Sequence, residues 1–492
     1  MNLLDVFEDR AKTTPDRIFL IEKERVLTFA DVFEASCKLA SGLVQTGVKP
    51  GDRVILGLPN TADFCISLYG IQWAGATAVL VNPRLTAFEV RNAYDLTEPK
   101  LVIGEPLNLS LIQSSLKVWS PVELIGIAGK SLAQRSHNDL SAMLLTSGTT
   151  GKSKAVMLSH NAIAANAHQL AKRKQLSEND RFLCTSPLFH SNGHTAVLQS
   201  MLAAGASIVL LEKFTPEGLL EVTTKFKCTA ISGVPTMYQH LINHFVSKPV
   251  DLSSLRLCVS GGAPITLALF NEVESRFRAF ILEGYGLTET SAGATGNPLE
   301  KRKVGTVGLP LDGTEIKISN DLGQELPHGE TGEILIRGPQ LMNGYYRDQE
   351  ATYQAITADG FLRSGDLGIL DADGYVKILS RKKELIIRSG FNVYPAEVEN
   401  VVRAIEGIQD VTVVGLPDTL YGEAVHAAVI SDLAQNILEE RLKKHTGSSL
   451  ARYKRPTTFS IHKDFPKTGS TKVQKSGVVE KLKTDPTLVK PL

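Results

Sequence analysis

Apolar residues along this chain follow two spacings in alternation. From Thr28 to Gly47 they recur on one side of a 3.6-residue period, with Thr28 as N-cap, which predicts an amphipathic helix. Arg53-Val54-Ile55-Leu56-Gly57-Leu58 is instead a short continuous run and predicts a buried strand. Further strands are predicted at Ser207 to Leu211, Leu255 to Val259 and Ile334 to Arg337, with helices between them such as Leu267 to Phe277. Alternating helices and buried strands predict an α/β fold with largely parallel sheets. Phe64 to Val81 carries no charge and approaches the length of a membrane-spanning helix. Gly70, Gln72, Gly75 and Thr77 interrupt it, and Gly75 stands where a helix would end before Ala78-Val79-Leu80-Val81. Helix, turn and strand are predicted there, and no spanning segment.

The character changes near residue 380. Gly365 to Gly374 is rich in Gly and Asp, with a turn expected at Asp371 to Gly374, and Ser380-Arg381-Lys382-Lys383-Glu384 is a short charged run. Beyond it lie strands predicted at Val411 to Gly415 and Ala424 to Ile430, and helices at Ala396 to Ile405 and Ile437 to His445. The expected organisation is a large parallel-rich α/β domain over 1–380, a hinge at 381–383 and a small α+β domain over 384–492. At 492 residues the chain exceeds what one core usually holds, which agrees with more than one domain.

Composition narrows the function by exclusion. The 43% hydrophobic and 21% charged fractions are those of a globular protein. Fifty-three basic against 52 acidic side chains leave a net charge of +1, which predicts neither nucleic acid nor an anionic membrane as partner. Cys37, Cys65, Cys184, Cys228 and Cys258 are scattered and odd in number, so reduced thiols in a cytoplasmic protein are expected rather than disulfides or zinc. The first residues carry acids and no apolar signal core, and Val489-Lys490-Pro491-Leu492 is not a peroxisomal signal.

Candidate chemistry begins at Thr146-Ser147-Gly148-Thr149-Thr150-Gly151-Lys152-Ser153-Lys154, directly after the apolar Ala142-Met143-Leu144-Leu145. Glycines admit an anion to the backbone N–H groups, hydroxyls donate further hydrogen bonds and lysines add charge, so a strand entering this loop suits phosphate. The spacing is not that of a Walker A loop, and by composition alone a surface loop also fits.

Residues 144–156 resemble the signature of the adenylate-forming superfamily, in the manner of acyl-CoA synthetases of the fatty-acid or aryl-CoA ligase type, with Ser153 where proline is usual and Ala155 where glycine is usual. Other segments resemble the family's motifs in the family's order. Ser260-Gly261-Gly262-Ala263-Pro264 resembles the loop lying against adenine, and Gly284-Tyr285-Gly286-Leu287-Thr288-Glu289-Thr290 the adenine and magnesium segment. That implies Glu289 as an oxygen ligand for Mg²⁺ and Thr288 as a hydroxyl for the α-phosphate. Ser364-Gly365-Asp366-Leu367 resembles the ribose segment, with Asp366 on the ribose hydroxyls and Arg381 as the second contact. Lys383 falls at the family's hinge position. Ser389 to Glu399 resembles the loop lining the thiol tunnel, where Gly390 lacks a blocking side chain, and Pro395 starts the next helix. Pro466-Lys467-Thr468-Gly469-Ser470-Thr471-Lys472 resembles the motif of the adenylation lysine, with Thr471 in place of glycine and Lys472 in the lysine's position. Pro187 to His194 resembles the border of the carboxylate pocket, with His190 as gate.

The resemblance implies an ATP- and Mg²⁺-dependent ligase. It would convert a small-molecule carboxylic acid to acyl-AMP, then pass the acyl group to coenzyme A while the small domain rotates. Ser191 replaces the Asp of amino-acid-activating relatives, and Gly284 the arginine of malonate-activating ones, so a monocarboxylic acid is expected. A carrier protein or an amine remains open as acceptor, and the oligomeric state is open. A luciferase-like oxidative fate has no separate support. A non-catalytic nucleotide-binding regulator would be expected to have lost Lys472, Glu289 or Asp366, and all three are present.

Overall fold

A computed structural model describes residues 2–104, 118–126, 136–147, 153–262, 265–467 and 473–492. The helix expected from Thr28 runs Phe29–Gln45, closed at its start by a capping box in which the Thr28 hydroxyl accepts from Asp31 N–H and the Asp31 carboxylate accepts from Thr28 N–H. The uncharged stretch is a helix, Ala62–Trp73, and a strand, Thr77–Leu80. Gly75 between them has φ +82, and its N–H and that of Ala76 return to the carbonyls of Gln72 and Ile71. Gln72, the polar residue inside that helix, donates from its amide nitrogen to the Ser141 hydroxyl at 2.7 Å, so the donor is paired within the protein core. Among the described residues no helix is long and apolar enough to cross a membrane.

The chain divides into two compact units: residues 1–316, 336–363 and 374–376 form the first, and 317–335, 364–373 and 377–492 the second. Among its described residues the first unit holds two sheets. One runs Val118–Trp119, Leu101–Gly104, Arg53–Gly57, Thr77–Leu80, Leu140–Ser147 and Ser153–Ser159, parallel except for the hairpin of its last pair. The other places Phe280–Tyr285, Leu257–Ser260, Ala230–Gly233, Arg181–Cys184, Ser207–Leu210 and Ile18–Glu22 side by side in parallel, with antiparallel strands at its edges. The predicted helix Leu267–Phe277 lies in the sequence between two of these strands, and Leu269, Phe270, Val273 and Phe277 on it are buried. Parallel register brings Gly233, Ser260 and Glu283 level at the carboxyl ends of their strands, the edge where open α/β sheets bind ligands.

In the second unit the strands Ile408–Asp418 and Gly422–Ser431 form a long hairpin, continued by Thr458–Ile461 in parallel and Ile386–Arg388 in antiparallel fashion. Helices Pro395–Arg403 and Gln435–Ser449 place Val398, Val402, Leu438 and Leu442 in one core with Val413, Val425 and Phe459. The unit also takes in 317–335, 364–373 and 377–383. Residues 317–335 and 364–373 belong to it through a four-stranded sheet that sets Glu315–Ser319, Gly332–Arg337, Leu362–Leu370 and Val376–Arg381 side by side in that order, and polar contacts add to it: Glu333 accepts from Gly365 N–H and pairs with Lys382, and Asp366 pairs with Arg381.

Candidate active site

The two ends of the hydroxyl-rich segment lie in paired antiparallel strands. These strands pair Thr146 with Lys154 and Ser147 with Ser153, and the two departures from the family signature, Ser153 and Ala155, both sit in the second strand. Gly148, Thr149, Thr150, Gly151 and Lys152 lie outside the described residues.

A connection invisible in the sequence organises the base of this hairpin. Residues 342–346 run along the free edge of Ser153–Ser159: Asn343 N–H donates to Met157 O, Met157 N–H to Gly344 O, and Tyr346 N–H to Ala155 O. Met342 N–H reaches Glu289 O, which fastens the same segment to the proposed magnesium residue. The Tyr345 ring lies under the Lys154 ammonium, 4.6 Å from the ring centroid, and its hydroxyl donates to Glu289 Oε1 at 2.9 Å. Burial and the Glu289 carboxylate push the Tyr345 phenol well up, so it stays a donor at any physiological pH. Lys154, the strand partner of Thr146, and Glu289 are thus brought together by Tyr345, which lies in none of the motifs.

Glu289 sits on the short turn Thr288–Thr290, after Gly286, where an added Cβ would stand 2.0 Å from Ala292 O, so the chain can pass only as glycine. Gly284 and Tyr285 pair with Gly296 and Thr295, and Gly262 adopts φ +80 just beyond Ser260. Ala263 and Pro264 lie outside the described residues. Glu283, also unmarked in the sequence reading, is buried beside them. Burial pushes its carboxyl up to about 7 against the pull of Gly305 and Ile265 N–H groups, and its Oε2 has no hydrogen-bond partner among the described residues. The sequence hint is a charge directly after the apolar run Phe280-Ile281-Leu282.

Among the described residues no cluster of three or more His, Cys, Asp or Glu side chains could cage a metal. A single carboxylate at Glu289, next to a phosphate-suited hairpin, fits Mg²⁺, which keeps most of its shell as water and substrate phosphate oxygens.

The second unit carries its own group. Asp366 is 3% exposed on the strand Leu362–Leu370, and Arg381 Nε meets its Oδ1 at 2.7 Å. Such a pair places one acceptor and several donors side by side, which suits a vicinal diol and its phosphate. Arg381 ends the strand Val376–Arg381, and the turn Lys382–Glu384 follows. Lys382 is held by Asp321 at 2.9 Å and Glu333 at 3.3 Å, whereas Lys383 is exposed. Gly390 has φ +80 with nothing within 4 Å of an added Cβ, so the backbone angle calls for glycine and the space beside it is open. Lys472 lies outside the described residues. The residues flanking its segment form a narrow neck: Lys467 bridges Val473, and Gln474 N–H donates to Pro466 O at 2.7 Å.

His190 caps a tight turn, receiving Asn192 N–H on Nδ1 at 3.4 Å, with His194 N–H on its carbonyl. Asn192–Gln199 is a π-helix, a form concentrated at functional sites. No local pattern announces it. Gly193 is its close contact, since a Cβ there would be 2.2 Å from Pro187 O. His194 is buried, pushed down to about 3 by that burial, and shares a polar chain with Gln199 and the Tyr69 hydroxyl.

Lys174 holds the same π-helix. Its buried ammonium donates to Ala196 O at 2.6 Å, and burial pushes it down to about 7. Between about pH 7 and the ordinary lysine value the unfolded chain therefore binds more protons than the folded one, so this residue makes stability rise with pH across that window. In Lys174→Met that contribution is absent. The wild type is expected to gain on the variant by on the order of 1 kcal/mol per pH unit between about pH 7 and 9. Denaturant melts across that range check it; parallel pH profiles for the two proteins would refute it.

All five cysteines are free, and burial pushes Cys184 and Cys228 up to about 12 and Cys37 to about 11. None offers a thiolate nucleophile.

Comparison with known proteins places this geometry. A family model described as AMP-binding enzyme matches residues 7–346, and one described as AMP-binding enzyme C-terminal domain matches 397–472. The chain is 33% identical to an octahydroindenylpropanoyl:CoA ligase of Mycobacterium tuberculosis, over 94% of this chain and 95% of that one. It is 32% identical to a long-chain-fatty-acid–CoA ligase of Bacillus subtilis, over 97% and 94%. Among solved structures, o-succinylbenzoate coenzyme A synthetase from Bacillus subtilis, in complex with ATP and magnesium ion, superposes with a TM-score of 0.87 at 30% identity, over 95% of this chain and 98% of that chain.

Proposed function

This chain belongs to the AMP-binding enzyme family, acts as an AMP-forming acyl-CoA ligase using ATP, Mg²⁺ and coenzyme A, and, we propose, performs its chemistry on a monocarboxylic acid with Lys472, Glu289, Asp366 and Arg381. The observation that supports Glu289 is the Lys154–Tyr345–Glu289 assembly, which joins a phosphate-suited hairpin to one metal-suited carboxylate, and the Asp366–Arg381 pair supports those two.

A carboxylate is a poor acyl donor because oxide is a poor leaving group. Its oxygen attacks the α-phosphorus of ATP, the bond from that phosphorus to the bridging oxygen breaks, and pyrophosphate leaves with the electron pair. The product is a mixed anhydride from which AMP departs easily. Two anions meet in that step, so cationic groups must be fixed around them. Glu289 would hold Mg²⁺, which offsets phosphate charge when bound. By the family resemblance, Lys154 and Lys152 would supply charge to the phosphates, Thr146, Ser147, Thr149, Thr150 and Thr288 would donate hydroxyls, Asp366 and Arg381 would serve the ribose and Tyr285 the base. Glu283 offers a buried acceptor beside the base. His190 would serve the substrate carboxylate, and Lys472 would supply the ammonium for bond formation. In the second half-reaction the thiol sulfur attacks the acyl carbon, the carbon–oxygen bond to AMP breaks, and the thiol proton passes to solvent. Gly390 leaves space for the thiol arm.

Two relatives support a monocarboxylate: the fatty-acid ligase above and a feruloyl-CoA synthase of Amycolatopsis sp, 32% identical over 95% of this chain and 96% of that one, are named for such acids. Free thiols and the use of ATP and coenzyme A support a cytoplasmic enzyme. Pyrophosphate release across a panel of acids, with and without coenzyme A, tests the reading. Release with monocarboxylates and a CoA thioester as product is expected. Release without thioester would shift the acceptor to a carrier protein or an amine, and no release with any acid would overturn the enzyme reading.

Lys383 in the exposed turn is the pivot for the small domain. Proline at that position fixes φ, so Lys383→Pro is expected to keep acyl-AMP formation within about threefold and to cut thioester formation by about 10²-fold. Separate assays of the two half-reactions check this; equal losses in both would remove Lys383 from the role.

A further inference from the structure

Lys475 occupies an unfavourable place for a lysine. It is the first residue of the helix Lys475–Thr484, where the unpaired N–H groups and the helix dipole repel a cation, and no side chain caps that end. Two carboxylates offset the repulsion. Lys475 Nζ lies 2.7 Å from Glu399 Oε1 and 3.3 Å from Glu384 Oε2, with the lysine 21% and the glutamates 15% and 28% exposed. Glu399 is itself fixed, since its Oε1 also accepts Val413 N–H at 2.9 Å. A three-member, partly buried network of this kind holds its members more firmly than an isolated surface pair.

The network joins two segments that the reaction uses differently. Glu384 closes the turn Lys382–Glu384, one residue after Lys383. Lys475 follows Lys472 by three residues, on the C-terminal side of the neck made by Lys467–Val473 and by Gln474 N–H on Pro466 O. Below the neck, Phe465, Val478 and Leu482 pack with Val414 and Ala428, and Gly477 lets the helix approach Pro466, whose Cβ is 3.0 Å from an added Cβ. The helix start is therefore anchored to the core on one side and to the turn on the other.

We infer that Lys475 is a positioning residue for adenylation: through Glu384 and Glu399 it binds the stem of the Lys472 segment to the turn containing Lys383, so that the orientation of the turn is passed to the lysine. This rests on the assignment of Lys472 and Lys383 made above. It differs from a plain stabilising role because it predicts a loss confined to one half-reaction. A displacement of about 1 Å at a reacting group costs on the order of 10²-fold in rate.

The test measures both half-reactions, with thermal midpoints, in Lys475→Met, Lys475→Arg, Glu384→Gln, the Lys475→Met/Glu384→Gln double variant and Lys472→Ala. Lys475→Met is expected to lower kcat for acyl-AMP formation by about 10- to 100-fold with KM for ATP within about twofold, and to leave conversion of supplied acyl-AMP to thioester unchanged. Lys475→Arg should restore most of the rate, Glu384→Gln should fall between, and the double variant should be no worse than Lys475→Met alone. Full adenylation in both Lys475→Met and Glu384→Gln, beside an inactive Lys472→Ala, overturns the inference and leaves the assignment of Lys472 standing. Equal loss in both half-reactions with a lowered thermal midpoint reduces Lys475 to a structural part and also overturns it. An active Lys472→Ala overturns the assignment itself and the inference with it.

Discussion

Lys472→Ala is expected to lower acid-dependent exchange of labelled pyrophosphate into ATP by about 10²–10³-fold, the usual cost of removing one preorganised charge-stabilising group. The reason is electrostatic. A carboxylate approaching an α-phosphate meets like charge, and the repulsion peaks as the bond forms, so a fixed ammonium there lowers the barrier more than it lowers the ground state. Thiol attack on a finished acyl-AMP brings no second anion to the phosphate. Conversion of supplied acyl-AMP to the thioester should therefore stay within about threefold of wild type. Exchange at near-normal rate in this variant would move the catalytic cation elsewhere, with Lys152 and Lys154 as the next positions to examine.

Glu289→Gln is expected to cost a similar factor of about 10²–10³ in the same exchange, with the magnesium concentration for half-maximal rate rising several-fold. Glutamine keeps an oxygen that can accept from the Tyr345 hydroxyl, now at 2.9 Å, so the local packing should survive while the charge is lost. Tyr345→Phe is the matching control. It removes the hydroxyl and keeps the ring beneath Lys154, so its loss should be about tenfold or less. Equal losses in the two variants would mean that Glu289 acts through Tyr345 and holds no metal.

What the sequence disclosed and what it withheld divide along the range of the interactions. The helix Phe29–Gln45 was readable because Thr28 and Asp31 form their box within one turn, and Leu267–Phe277 because its apolar face repeats locally. The hairpin Ile408–Asp418 with Gly422–Ser431 extends beyond the strands predicted there, since its outer residues are held by pairing with each other rather than by their own propensity. The site shows the same division. Glu289 and Asp366 stood out in motifs, whereas Tyr345 reaches Glu289 across the intervening chain and gives no local signal. The π-helix Asn192–Gln199 is imposed by Gly193 against Pro187 and by Lys174 on Ala196, contacts that spacing cannot reveal. Residues 317–335 and 364–373 gather with 377–381 in one four-stranded sheet, a pairing of strands distant in sequence that local spacing does not announce.

The state of the thiols has a practical consequence. Four cysteines are buried and the fifth, Cys37, is half-buried, with Cys37, Cys184 and Cys228 all held in the protonated form. Maleimides and iodoacetamides react with exposed thiolates, so the native chain offers them a nearly silent background. A single cysteine introduced on an exposed position of each unit would then be the only reactive group on its surface. The protein is thus ready for dye-pair labelling without prior removal of its own cysteines, and the domain rotation proposed above can be tested in the otherwise unaltered enzyme.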